Sequence, residues 1–183
     1  MQALLNAIAQ MEKTTDACRV FHGRGGVYPD CEHWTLDWFS PVWVLTSFKI
    51  VAEEDLAVCH TALQARWATL APDEPLNWVY QCRATGHAET RLMAGSVPDP
   101  HVVTEQGAHY QVHVLRGQNH GLFLDMAEGR RWVRSYVAER SRAKVLNLFA
   151  YTCAFSVVAK QAGARQVVNV DMSHGAMAIG QQN

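Results

Sequence analysis

The stretch VLNLFAYTCAFSVVAKQAGARQVVNVDMS, residues 145–173, leaves the chain few ways to fold. Val145 to Phe149 is an apolar run, interrupted only by Asn147 and bounded by turn residues, as expected of a strand buried on both faces. The segment AFSVVAKQAGA then reads as a helix that stops at Gly163, a residue suited to the left-handed conformation that closes helices. QVVNV is a second strand, and Asp171 stands at its tip. A strand, a helix and a strand in so short a span force a parallel pair joined by a crossover helix. In such sheets the ligand lies at the carboxyl ends of the strands, here residues 149–154 and Asp171. Ser173 caps the helix that follows.

An acid about 20 residues beyond the first turn, at the end of the second strand, accepts hydrogen bonds from ribose hydroxyls. A dinucleotide and S-adenosylmethionine both carry that ribose, and the turn separates them. Pyrophosphate needs glycines, so that backbone amides come close to phosphate oxygens. The turn Phe149-Ala150-Tyr151-Thr152-Cys153-Ala154 has none. S-adenosylmethionine has no phosphate, and aromatic faces favour its sulfonium cation. The turn favours the methyl donor.

Upstream, the pattern is that of a different unit. Leu4, Leu5, Ile8 and Met11 recur at helical spacing. Residues 18–49 alternate and are rich in Val, Phe and Trp, which suits strands broken by turns, with Pro41 at an edge or bend. AEEDLAVCHTALQARWATLA opens with acids, carries Leu56, Cys59, His60, Leu63 and Trp67 on one face, and is closed by Pro72, so it is a helix. PLNWVYQCRA and HYQVHVLRG read as strands and GHAETRLMAGSVPDP as a turn-rich loop. The expected fold class is therefore α/β: a small α+β domain of order strand-strand-helix-strand-strand over residues 1–117, then the start of a Rossmann-like domain over 118–183. A helix is expected over about 126–139.

Composition excludes several classes. Hydrophobic residues at 49% and charged residues at 18% describe a globular chain, and no apolar run spans a bilayer. The amino terminus lacks the charged region of a secretory signal. Five cysteines, an odd count with no CxxC pair, argue against a disulfide framework or a zinc cage and for reduced thiols in a cytoplasmic protein. The histidines show no ligand-like clustering; His109 and His113 share a strand face without matching acids, so no metal is expected. A net charge of −1 gives no global attraction to nucleic acid. A local one exists in RRWVRSYVAERSRAK, with six basic residues against one acid. Trp34, Trp38 and Trp43 are expected in the core, Cys153 as inert packing, and Asp125 with Arg130 as a paired helix start.

The segments VLNLFAYTCAFSVVA and VDMS, preceded by GQNHGLFLDMAEGRRWV, resemble those of the bacterial large-subunit ribosomal RNA base methyltransferases. These are class I enzymes with an LNLFxYTGxxS-type turn, a VDxS acid and a QxTGxFLDxRxxR motif. His120 and Cys153 depart from that pattern. The resemblance implies a S-adenosyl-L-methionine-dependent methyltransferase acting on a base of RNA, with RNA, ribosomal RNA in particular, as partner. It implies that Asn147 replaces a common first-strand acid, and that Phe149, Ala150, Tyr151, Thr152 and Cys153 form the turn around the donor's amino-acid tail. Asp171 would bind the ribose, with Met172 beside the adenine. Only two strands of the expected sheet precede Asn183, so the chain reads as the front portion of a longer protein, and a catalytic residue is not assigned. A non-catalytic RNA-binding module is the alternative, resting on the basic segment; a NAD-dependent oxidoreductase is the third, disfavoured by the turn.

Overall fold

The computed structural model describes residues 1–116 and 119–183. These form two compact units, residues 1–99 with 114–116, and residues 100–113 with 119–183. The expected boundary at 117/118 lies outside the described residues. So does the start of the GQNHGLFLD motif.

The first unit is built on a five-stranded sheet of order β1-β2-β3-β4-β5. Its strands are β1 (Cys18–His22), β2 (Trp34–Phe39), β3 (Val42–Ser47), β4 (Trp78–Ala84) and β5 (His87–Ala94), and its helices are α1 (Gln2–Gln10) and α2 (Glu53–Leu70). β3 and β4 are parallel, as the intervening α2 crossover requires, and the other pairs are antiparallel. Leu4, Ile8 and Met11 of the first helical segment and Leu56, Cys59, Leu63 and Trp67 of α2 bury against Trp34, Trp38, Trp43 and Trp78. The tryptophans are core, as expected: Trp38 lies 4.3 Å from Trp43 and 5.5 Å from Trp67, centroid to centroid. His60 stays half-buried and accepts the Trp78 indole N–H at 3.0 Å. Pro41 occupies the two-residue bend between β2 and β3.

Two features differ from expectation. The stretch GHAETRLMAGSVPDP is mostly a strand, β5, paired along its length with β4. It reads as a loop because it is an edge strand with one solvated face, Ala88, Thr90 and Leu92, while the half-covered face carries charged residues, Arg91 bonding Glu53 and Glu89. Three strands rather than two precede α2, because the Gly- and Pro-rich stretch 23–33 joins two separate strands.

The second unit opens with a hairpin, β6 (His101–Glu105) and β7 (Ala108–Val112). Residues 109–112, expected in the small domain, thus belong to the second unit. A short 3₁₀ turn at Leu124–Met126 leads into α3 (Ala127–Ala138). β8 (Lys144–Leu148), α4 (Ala154–Gln161), β9 (Gln166–Val170) and α5 (His174–Gln182) follow in the expected order. β8 and β9 are parallel and in register, Asn147 opposite Asn169. Val145 and Val167 pack with Val137 of α3 and Ala159 of α4, so these helices cover one face of the pair. Leu146, Leu148, Val168 and Val170 point the other way and are exposed, so in this structure the strands are covered on one face and not, as their apolar runs lead one to expect, on both.

Arg130 fastens the helix layer to the hairpin. Its guanidinium forks onto Glu105, Nε to Oε1 at 2.6 Å and Nη2 to Oε2 at 2.7 Å, and both residues are buried. The partner of Arg130 is therefore Glu105 and not Asp125, which the sequence places nearer. A planar fork on a carboxylate satisfies the charge that burial would otherwise leave exposed to low dielectric. Removing one partner strands the other. Glu105→Ala is expected to cost about 3–5 kcal/mol, and replacing both residues by apolar ones of similar volume to cost far less. Urea denaturation of the single and double variants measures the difference.

Candidate functional site

The carboxyl ends of β8 and β9 are held together by backbone groups and one carboxylate. The Ala150 N–H donates to the Val170 carbonyl at 3.1 Å, which extends the parallel ladder by one rung. Beyond it, Asp171 Oδ2 accepts the Tyr151 N–H and Oδ1 accepts the Ser173 N–H, each at 2.8 Å. Bonds from Ser173, then Tyr151, then Met172 hold this carboxyl below the usual carboxylate range. Asp171 is therefore ionised at neutral pH. The stability it adds is present above the ordinary carboxylate pKa and is lost as pH falls through the lowered value.

The turn itself takes left-handed backbone at alternate residues: Phe149 at φ 56°, Tyr151 at 49° and Cys153 at 61°. Glycine would adopt this shape without strain; these side chains do so at a cost. The cost is offset by a second loop. The Gly121 N–H donates to the Tyr151 hydroxyl at 3.1 Å, and the Thr152 hydroxyl donates to the Gly121 carbonyl. Tyr151 also lies 5.1 Å from Phe123, ring to ring. Gly121 has φ 98°, and a Cβ there would stand 2.8 Å from the Gln111 carbonyl, so only glycine fits. Two segments of the resemblance, NHGLFLD and LFAYTC, are thus in direct contact. Gly121 had no assigned role in the sequence; its signal was a glycine between His120 and an apolar run.

The expected site residues divide into two groups. Phe149 and Met172 flank Asp171 in the chain segments that its carboxylate joins, and they are 91% and 97% exposed. Large apolar side chains that the chain leaves uncovered, beside an ionised acceptor, suit a ribose and a purine. Ala150, Thr152 and Cys153 are buried. They shape the turn from beneath. Asn147 lies apart: it shares the α4 face of β8 with Val145, and its amide donates to Ser156 Oγ at 2.9 Å and Asn169 Oδ1 at 3.3 Å. The Cys153 thiol contacts the Met177 sulfur at 3.9 Å. Burial first, and the Asp171 charge second, push its pKa up, so it remains a thiol at neutral pH.

A cleft of about 320 Å³ opens on the α4 side, lined by Cys153, Ser156, Lys160, Asn169, Gly180 and Asn183. Neither Phe149, Asp171 nor Met172 lines it. A larger one, about 690 Å³, lies between α1 and β1 in the first unit. Among the described residues no group of three His, Cys, Asp or Glu is placed to hold a metal ion. None of the five cysteines is in a disulfide. No helix of the described residues is long and apolar enough to cross a membrane.

Residues 18–183 match the S-adenosylmethionine-dependent methyltransferase family. The chain belongs to it. Members of this methyltransferase family use S-adenosylmethionine as cofactor, which agrees with an ionised acid at the second strand tip. The chain is 33% identical to ribosomal RNA large subunit methyltransferase I of Serratia proteamaculans over 150 residues, 81% of this chain and 37% of that protein. A Streptococcus mutans protein assigned as a SAM-dependent methyltransferase superposes with a TM-score of 0.67 at 25% identity, covering 99% of this chain and 45% of that one. A protein assigned as a methyltransferase and solved with SAH has the same fold, with a TM-score of 0.68 at 24% identity over 99% and 44% of the two chains. The chain spans less than half the length of these relatives. The mixed α/β class of the fold is that of these methyltransferases.

One contact under the turn is tight enough to test. A Cβ at Gly180 of α5 would stand 2.5 Å from the Cys153 sulfur. Gly180→Ala should therefore destabilise the fold by about 1–3 kcal/mol through overpacking. Cys153→Gly removes the obstructing sulfur and the left-handed strain together, so the double variant should be more stable than Gly180→Ala alone. Thermal unfolding of the three variants gives the coupling.

Proposed function

We propose that the protein this chain represents transfers a methyl group from S-adenosylmethionine to a base of RNA, ribosomal RNA first among substrates. The observation that carries the reading is the Asp171 clasp, an ionised carboxylate flanked by the exposed Phe149 and Met172 at the ends of parallel strands. Support for an RNA substrate comes from relatives named as large-subunit ribosomal RNA methyltransferases. A protein acting on ribosomal RNA works in the cytoplasm, the localisation this reading carries.

In this reading each carboxylate oxygen of Asp171 keeps acceptor capacity beyond its backbone bond and takes a ribose hydroxyl. Met172 lies beside the adenine. The turn 149–153, fixed by Gly121, gives the donor's amino-acid tail a rigid floor. When bound, the cofactor supplies an electrophilic methyl group on a sulfonium centre. The chain's part is orientation, which converts an encounter into a near-unimolecular step. Cys153 takes no covalent part, since its thiol is protonated and buried. Residues 1–99 would serve as a small domain ahead of the cofactor domain.

Thermal-shift titration of the full chain with S-adenosylmethionine, its demethylated product and NAD tests the proposal. Ligand at a hundred times its Kd should stabilise the fold by about 2.7 kcal/mol. The expected result is stabilisation by the first two and none by NAD; stabilisation by NAD alone would overturn it. Asp171→Ala should weaken donor binding about 10- to 1000-fold by calorimetry, because a charged acceptor is lost. It also releases the Tyr151 and Ser173 amides, so Asp171→Asn, which keeps one acceptor, should retain more of the turn yet still bind weakly. Unchanged affinity in both variants would place the ribose elsewhere.

A further inference from the structure

The six basic residues of the segment 130–144 do not act alike. Arg130 is buried on Glu105. Arg134 turns inward, donating to the Gln106 carbonyl at 2.7 Å and to Gln161 Oε1 at 2.9 Å. The other four, Arg131, Arg140, Arg142 and Lys144, are exposed; of these Arg131 pairs with Glu128 at 2.8 Å and Arg140 approaches Glu139 at 3.7 Å. Between them, on the outer face of α3, stand Trp132 and Tyr136, 63% and 44% exposed. Helical i, i+4 spacing brings their rings together, with centroids 4.9 Å apart and planes 24° from parallel. One further turn along, the Arg140 guanidinium lies over the Tyr136 ring at 3.4 Å, pinned there by a bond to the Tyr136 carbonyl at 2.7 Å.

We infer that Trp132, Tyr136 and Arg140 form a stacking platform for an unpaired base of RNA, with Arg142 and Lys144 drawing its phosphates. This rests on the reading of the substrate as RNA. A tryptophan on a helix surface costs solubility, and nothing in the second unit covers this one. Its ring is already ordered by Tyr136, and Tyr136 by Arg140, so a base adds to an existing stack without first paying to align it. Aromatic faces beside cations are what single-stranded nucleic acid recognises, because every base has a stacking face and every linkage a negative charge. An apolar peptide would gain little from the cationic flank. The platform belongs to α3, separate from the Asp171 clasp, so it can hold a base next to the target rather than the target itself.

The test uses the full chain and two fluorescein-labelled RNAs, a hairpin with an unpaired loop and a blunt duplex, read by anisotropy across salt concentrations. Trp132→Ala should weaken hairpin binding about 5- to 150-fold and leave duplex binding and the salt dependence unchanged, because stacking and not charge is removed. Trp132→Phe should recover most of the loss. Arg142→Gln with Lys144→Gln should instead flatten the salt dependence on both RNAs. If the unaltered chain binds neither RNA, the RNA reading falls and the platform with it. If it binds the hairpin and Trp132→Ala binds equally well, the platform alone is overturned. If Trp132→Ala abolishes a self-association seen by sedimentation and leaves RNA affinity intact, the face contacts a second copy and the platform is likewise overturned. Circular dichroism verifies that the exposed substitution leaves the fold in place.

Discussion

The Asp171 carboxylate decides where everything else at the strand ends can stand. Each oxygen takes one backbone N–H, Tyr151 from the turn after β8 and Ser173 from the cap of α5, both at 2.8 Å. A carboxylate that accepts such bonds stays charged, and a charged group at the protein's edge stays accessible to ligand. One side chain therefore fixes two loops and presents an acceptor. Its removal would release both loops at once, since the two oxygens hold one each.

The glycine-free turn shows how strain is placed and offset. Three side-chain-bearing residues sit in left-handed backbone within five positions. Such conformations persist when surrounding contacts over-determine them. Here those contacts are Tyr151 and Thr152 on Gly121, Ala150 on Val170, and Cys153 lodged against Met177. The loop carrying Gly121 is in turn bonded to the hairpin, where the His113 N–H donates to the His120 carbonyl at 2.9 Å. The buried Arg130–Glu105 fork fastens α3 to the same hairpin. Hairpin, loop, turn and helix form one chain of contacts leading to the carboxyl ends of β8 and β9.

Basic residues illustrate why a sequence run is not a surface. Six cations between 130 and 144 look like a single electrostatic feature. Helical geometry distributes them: Arg130 and Arg134 fall on the face that meets the hairpin, while Trp132, Tyr136 and Arg140 fall on the face that meets water. Charge density along the chain overstates charge density on the surface, and the aromatic content of that surface is hidden in it.

The sequence by itself determined the local order of the second unit. Apolar runs of strand length, a helix closed by Gly163 and an acid at residue 171 admit one arrangement, since a parallel pair can be joined only by a crossover. It also determined the helices and the tryptophan core of the first unit, where periodicity and side-chain size agree. It did not determine β5, because a solvated edge strand carries the polar residues of a loop, nor that the hairpin 101–112 joins the second unit, because alternation says nothing of what a strand packs on. The site divides in the same way. That Asp171 follows directly on the second strand was legible from its place in the chain, but the inward turn of Asn147, the need for glycine at 121 and the pairing of Arg130 with Glu105 were not. The first and last depend on which groups come within hydrogen-bonding distance across 22 and 25 residues, the second on how closely the Gln111 carbonyl approaches residue 121, and only tertiary structure sets those distances.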